Sequence, residues 1–141
     1  TFGRRITRFA VTKHGLGRRE VMHEFGPGEF PDGFAFDAEG AAWAACVVSN
    51  RVIRIEANGR RTLILDDSDP DVIDQAEAQY QRRLGGREGL EGGATRSLKN
   101  IASVAFGDPD LQAVYLGCLN GTGVVSFRSP IAGAEPAQWR W

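Results

Sequence analysis

Asp32 is the residue whose type and setting most suggest chemistry. It stands in Pro31-Asp32-Gly33, directly ahead of the apolar run Phe34-Ala35-Phe36. Pro-Asp-Gly is a common turn: Pro presets φ, Asp bonds its own backbone, and Gly tolerates left-handed backbone. A turn alone would therefore account for it. The chain, however, holds a second copy of this segment, and there Ala102 takes the place of Asp32. The acid is thus not required by the local architecture. A carboxylate among amide oxygens suits a hard cation such as calcium or magnesium. Ser49-Asn50, Asn100 and Asn120-Gly121-Thr122 occupy loop positions at the same end of the repeat. At a convergence of inner strands a carboxylate would have low-dielectric walls and would need a cation or a donor. One carboxylate is not a complete ion site, so the other ligands would come from elsewhere.

Other reactive sets are missing. His14 and His23 fall in an early hairpin and lack zinc-type spacing to a cysteine. Cys46 and Cys118 occupy matching strand positions, which points to packing rather than reactivity. Two cysteines make no disulfide framework, and reduced thiols fit a cytoplasmic location. No nucleophile elbow and no phosphate-cradling loop occurs. With 17 basic and 18 acidic side chains the net charge is −1, so no electrostatic case exists for nucleic acid or an anionic membrane. Arg60-Arg61 and Arg82-Arg83 read as solvated pairs. No apolar run is long enough to span a bilayer. Hydrophobic residues at 42% and charged ones at 25% describe a folded soluble chain, and 141 residues suggest one domain.

The elements that must position Asp32 come from an internal repeat. Phe34-Ala35-Phe36 aligns with Val104-Ala105-Phe106. Ala42-Trp43-Ala44-Ala45-Cys46 aligns with Val114-Tyr115-Leu116-Gly117-Cys118, and Val52-Ile53-Arg54-Ile55 with Val124-Val125-Ser126-Phe127. Alternating β-branched and aromatic residues mark strands, and Asp37–Gly40 and Gly107–Asp110 mark the turns between them. The recurring aromatics Phe36, Trp43, Phe106 and Tyr115 read as core. A third, incomplete copy opens the chain: Arg5–Phe9 resembles Arg51–Ile55, a loop spans Thr12 to Gly17, and Arg19–Phe25 follows as a fourth strand. Fourth strands are also expected at Arg61–Asp66 and Gln138–Trp141. One helix interrupts the repeat. Asp69 suits its N-cap and Pro70 its first turn, Ile73, Ala76, Tyr80 and Leu84 follow helical spacing, and Gly85-Gly86 stop it. A Gly-rich stretch, Gly85 to Gly93, returns to the next strand. The helix is either a lid over the mouth or an edge decoration.

Ten short strands in four-strand repeats predict an all-β chain, part of a β-propeller with about two and a half blades and one inserted helix. The units are a half blade at 1–27, a blade at 28–66, a helical and Gly-rich insertion at 67–97 and a blade at 98–141. Open edges at both ends call for self-association or for a missing N-terminal half ahead of Thr1.

The run Phe30-Pro31-Asp32-Gly33-Phe34-Ala35-Phe36-Asp37-Ala38-Glu39-Gly40-Ala41-Ala42-Trp43-Ala44-Ala45-Cys46, followed by Asn50-Arg51-Val52-Ile53-Arg54, resembles the senescence marker protein/gluconolactonase/luciferin-regenerating enzyme family. Ser103–Gly107, Asp110-Leu111 and Val114-Tyr115 resemble the next blade. The resemblance implies a six-bladed propeller and calcium- or zinc-dependent hydrolysis of a small lactone. It implies that the metal polarises the lactone carbonyl and activates water. The family's ligands are a Glu, an Asn and the Asp of Pro-Asp-Gly. Only Asp32 matches; the Asn would fall just upstream of Thr1 and the Glu far upstream. No other residue receives a catalytic role. The expectation is therefore a partial propeller with an incomplete active site. The alternative is a non-catalytic half-propeller that assembles through its open blade edges.

Overall fold

The computed structural model describes residues 1–82, 92–136 and 139. Among these are nine strands: β1 (Arg5–Thr12), β2 (Gly15–Glu24), β3 (Pro31–Phe36), β4 (Ala42–Cys46), β5 (Arg51–Ile55), β6 (Arg61–Asp66), β7 (Ile101–Gly107), β8 (Ala113–Cys118) and β9 (Val125–Arg128). They form three antiparallel sheets, β1-β2, β3-β4-β5-β6 and β7-β8-β9, none of which closes on itself. One α-helix, α1 (Pro70–Gln81), lies between the second and third sheets in sequence.

The repeat is carried into the hydrogen-bond register. Phe34 pairs with Ala44, Ala35 with Trp43 and Phe36 with Ala42; Val104 pairs with Leu116, Ala105 with Tyr115 and Phe106 with Val114. Both copies break register in the same place, between Pro31 and Phe34 and between Ile101 and Ser103. The opening hairpin copies β5-β6 in the same way. Arg5 faces Glu24 as Arg51 faces Asp66, a register shift follows Ile6 as it follows Val52, and Phe9 faces Arg19 as Ile55 faces Arg61. Even the backbone strain repeats: Arg4 and Asn50, just ahead of β1 and β5, have φ of 45° and 48°. Their carbonyls accept from Phe25 and Asp67, the first residues beyond β2 and β6. The first sheet is thus the outer half of the unit that the second sheet shows whole.

The second sheet is the centre of the stack, and its two faces bury different partners. Trp43, Ala45 and Val52 pack against Ile101, Val104, Val114 and Leu116 of the third sheet. Ala44, Cys46, Ile53 and Ile55 pack against Phe25 and Ile6 of the first. Each fully buried Ile or Leu here contributes roughly 1.5–3 kcal/mol. Close stacking depends on Gly33. A Cβ there would lie 2.6 Å from the Ala102 carbonyl oxygen and 3.0 Å from Ser103 Cα, so only Gly lets β3 approach the β7 backbone.

Three expectations change. The loop from Thr12 to Gly17 is instead a tight turn at Lys13-His14, because Gly15 takes φ of 114° and Thr12 pairs directly with it. Phe36 is not core: it is 50% exposed on the edge strand β3, where it meets Phe34 edge to face. Arg61 is not simply solvated, because it reaches the buried Glu29 at 2.7 Å. The predicted Leu84 and Gly85-Gly86 helix stop lies outside the described residues, as does the terminal strand apart from Trp139.

Helix α1 starts as its sequence requires. The Asp69 side chain accepts from the Asp71 amide, and Pro70 opens the first turn. Val72, Ala76 and Tyr80 then seat the helix on Phe30, Val47 and Val48, the segments entering β3 and leaving β4.

Candidate functional site

Asp32 lies at the start of β3, within the stretch where the β3-β4 register is interrupted. Its carboxylate is exposed and accepts a hydrogen bond from Thr1 Oγ1 at 3.2 Å. Thr1 is held there from below. Phe2 packs edge-on against Phe30, and the Arg4 guanidinium lies between the rings of Phe30 and Tyr80, 5.2 and 4.8 Å from their centroids. Arg4 also pairs with Glu77 at 2.9 Å and donates to the Gly26 carbonyl. Glu77 accepts from the Gly28 amide as well. Burial would raise the Glu77 carboxyl, but Gln81, Arg4 and Gly28 together hold it below the usual range. Helix α1 is thereby clasped over the same end of the sheet at which Asp32 enters.

The other polar residues of this end are structural. Asn50 is fully buried, donates to the Gly93 carbonyl at 2.7 Å and accepts from the Ile101 amide at 3.1 Å. Asn100, with φ of 60°, donates to the Val47 carbonyl at 3.0 Å and accepts from Asn120 Nδ2 at 3.0 Å. These amides join the second sheet to the third, so they are already committed to the backbone. Ser49 is fully buried beside them, whereas Thr122 is exposed. Among the described residues no three of His, Cys, Asp and Glu come together to hold a metal ion. One exposed carboxylate with a neighbouring hydroxyl does not fit a complete divalent-ion site, which needs several oxygen donors.

Two buried acids escaped the sequence reading. Asp37, 1% exposed, accepts from the amides of Glu39 and Ala41 at 3.0 and 2.9 Å, from Trp43 Nε1 at 2.9 Å and from Arg54 Nε at 2.7 Å. Burial pushes its carboxyl up, but Trp43, Arg54 and the Ala41 amide outweigh this and leave it below the usual carboxylate range. Arg54 also meets Glu39 at 2.6 Å and Glu56 at 3.2 Å. The third sheet repeats the device in exposed form, with Tyr115 donating to Asp108 at 2.8 Å. The available signal was the spacing Asp37…Trp43…Arg54. Glu29 is the second, held by the Gly26 amide and Arg61. It has no motif. His14 is exposed in the first turn, and His23 stacks edge-on against Phe25 at 4.9 Å. Cys46 and Cys118 pair with Pro31 and Ile101 at equivalent places. Burial first, then the charge of Glu29, pushes the Cys46 thiol up to about 12, so it is no nucleophile.

Antiparallel sheets of one repeated register, with the candidate acid at the start of the edge strand β3, define a class of β-rich fold that its likeness to known proteins resolves further. Residues 1–66 match the model of the SMP-30/gluconolactonase/LRE-like region, which shows the resemblance carried by the Pro-Asp-Gly and Arg-Val-Ile-Arg motifs. The chain superposes on luciferin-regenerating enzyme with a TM-score of 0.59 and 17% identity, over 93% of this chain and 40% of that one. It superposes on a structural-genomics target described as a putative gluconolactonase with a TM-score of 0.60 and 18% identity, over 96% of this chain and 35% of that one. At such identities the likeness is one of fold, and the chain spans well under half the length of either structure. No curated protein matches it. No helix among the described residues is long and apolar enough to cross a membrane.

Proposed function

We propose that this chain is part of a metal-dependent lactone hydrolase of the gluconolactonase type and contributes one ligand, Asp32, to its metal site. The observation that carries the reading is an exposed carboxylate at the start of the edge strand β3, in the Pro-Asp-Gly motif, at a repeat position that the fold itself fills with Ala102. Calcium or zinc suits the family, and a small lactone is the substrate class. The described residues supply too few donors for the site, so turnover requires ligands from outside them. Titration calorimetry of the chain with calcium and with zinc, repeated on Asp32→Ala, tests the reading. Weak binding lost in the variant supports it, and binding that survives the substitution overturns it.

A second reading has its own observation. The β1-β2 sheet reproduces β5-β6 residue by residue yet has no inner strands. In this reading the chain is a non-catalytic half-propeller that binds a partner or another copy through an open blade edge. Light scattering decides it: a stable monomer at micromolar concentration, alone and with its co-purifying partners removed, counts against it.

A further inference from the structure

We infer that the tip of the β1-β2 hairpin docks on an anionic lipid bilayer, with Val11 and Leu16 entering the interface and Lys13, Arg18 and Arg19 meeting the headgroups. The tip is apolar where the repeat is polar. Phe9 and Arg19 take the places of Ile55 and Arg61, the last pair of β5-β6. There the hairpin closes through Glu56-Ala57-Asn58-Gly59-Arg60. The first hairpin instead runs on through two further pairs, Val11 with Leu16 and Thr12 with Gly15, and turns at Lys13-His14. Directly opposed residues share a face, so Val11 and Leu16 form one apolar pair, 86% and 70% exposed. A lone exposed apolar residue is ordinary. An opposed pair at the end of a projecting hairpin has no packing to account for it.

The second sheet shows that this level lies outside the stack. It has all four strands, and the first sheet packs on its Ile53 and Ile55. Just beyond Ile55, Ala57, Asn58 and Arg60 are nevertheless exposed. Strand β4, which lies inside β5, pairs no further than Ile55. The exposure of the tip therefore follows from its place beyond the last pair of the blade, and it holds whatever stands ahead of β1.

Charge selects the partner. Residues 1–24 hold six Lys and Arg against two Glu, a balance of +4, and the remainder holds eleven against sixteen Asp and Glu, a balance of −5. The overall −1 that spoke against an anionic membrane hides this separation. No acid precedes Glu20, and Arg8 takes Glu20 at 2.9 Å. Lys13, Arg18 and Arg19 are exposed and form no ion pair among the described residues. A convex apolar end inside a basic collar suits a negatively charged interface: the apolar pair leaves water, and the cations gain from the surface potential. Asp32 lies at the opposite end of the sheets, since Pro31 pairs with Cys46 and Cys46 with Arg51, the counterpart of Arg5. Docking by the tip leaves that carboxylate turned to water.

Co-sedimentation with phosphatidylcholine vesicles, with and without about one-third phosphatidylserine, tests this. The chain should pellet with the anionic vesicles alone and be released in about 0.5 M salt. Lys13→Gln with Arg18→Gln and Arg19→Gln should weaken partition at least about thirtyfold. Val11→Ser with Leu16→Ser should weaken it at least about tenfold. All five side chains are exposed, and unchanged circular dichroism checks that the variants fold. Leu16→Trp gives a reading that does not depend on loss. Its emission should shift to the blue on anionic vesicles, while Asn58→Trp, at the same level of the second sheet, stays unshifted. No binding to anionic vesicles, equal binding to both kinds, or an unshifted Leu16→Trp overturns the inference. So does binding that survives Val11→Ser with Leu16→Ser. The assay needs no metal, so its failure leaves the Asp32 reading untouched.

Discussion

Replacing Asp37 with alanine removes one acceptor and strands four donors. The remaining Arg54 side chain is only 8% exposed. Breaking a buried ion pair from one side costs about 3–5 kcal/mol when the surviving charge is left alone. Arg54 keeps Glu39 and Glu56, so the lower end applies. The Trp43 indole and the Ala41 amide lose a buried acceptor, which costs about 1 kcal/mol or more each. Together the loss is about 5 kcal/mol, comparable with the whole stability of a small domain at about 5–15 kcal/mol. Urea unfolding followed by tryptophan fluorescence measures it through the midpoint, with the slope unchanged. A loss below about 1 kcal/mol would refute the view that this carboxylate organises the blade. Should Asp37→Ala not fold, Trp43→Phe removes one of the four bonds and part of the buried packing and should cost about 2 kcal/mol or more, read by circular dichroism because the buried tryptophan is gone. The pH dependence has a definite sign. Asp37 has its folded carboxyl below the unfolded value of about 3.9. Its contribution is therefore fully present above about pH 4 and is lost as pH falls through the lower folded value. The chain should destabilise below about pH 4, and Asp37→Asn should flatten that slope.

Gly33→Ala should lower the thermal midpoint by an amount corresponding to about 1–3 kcal/mol, because backbone meets the new Cβ; an unchanged midpoint would mean that β3 and β7 do not approach so closely. Arg4→Met keeps the apolar stem but removes the guanidinium between Phe30 and Tyr80 and the pair with Glu77. Exchange of the α1 amides should quicken by about tenfold, an effect of about 1.4 kcal/mol, while the β4 and β5 amides stay slow. In native protein at pH 8 about one Cys46 thiol in ten thousand is ionised, so alkylation should wait for unfolding; rapid labelling would contradict the burial of this side chain.

What the sequence by itself determined is local. Strand periodicity, turn residues and the cap at Asp69 depend on neighbours within a few positions, so the limits of β4 and β6 and the start of α1 were legible directly. The repeat also carried the register, since a strand's hydrophobic alternation leaves only one pairing that keeps its apolar side inward. The tertiary structure decided what depends on which sheet lies over which. Asp37 and Glu29 look like turn acids until strand pairing within the second sheet brings Trp43, Arg54 and Arg61 within reach and packing buries them. Phe36 looks like core in a repeat, yet stands half exposed beside Phe34 on the edge strand β3. Asp32 stands at the head of β3, the edge strand of the second sheet, as the repeat placed it. What surrounds that carboxylate depends on the sheets packed around it, which no residue beside Asp32 encodes.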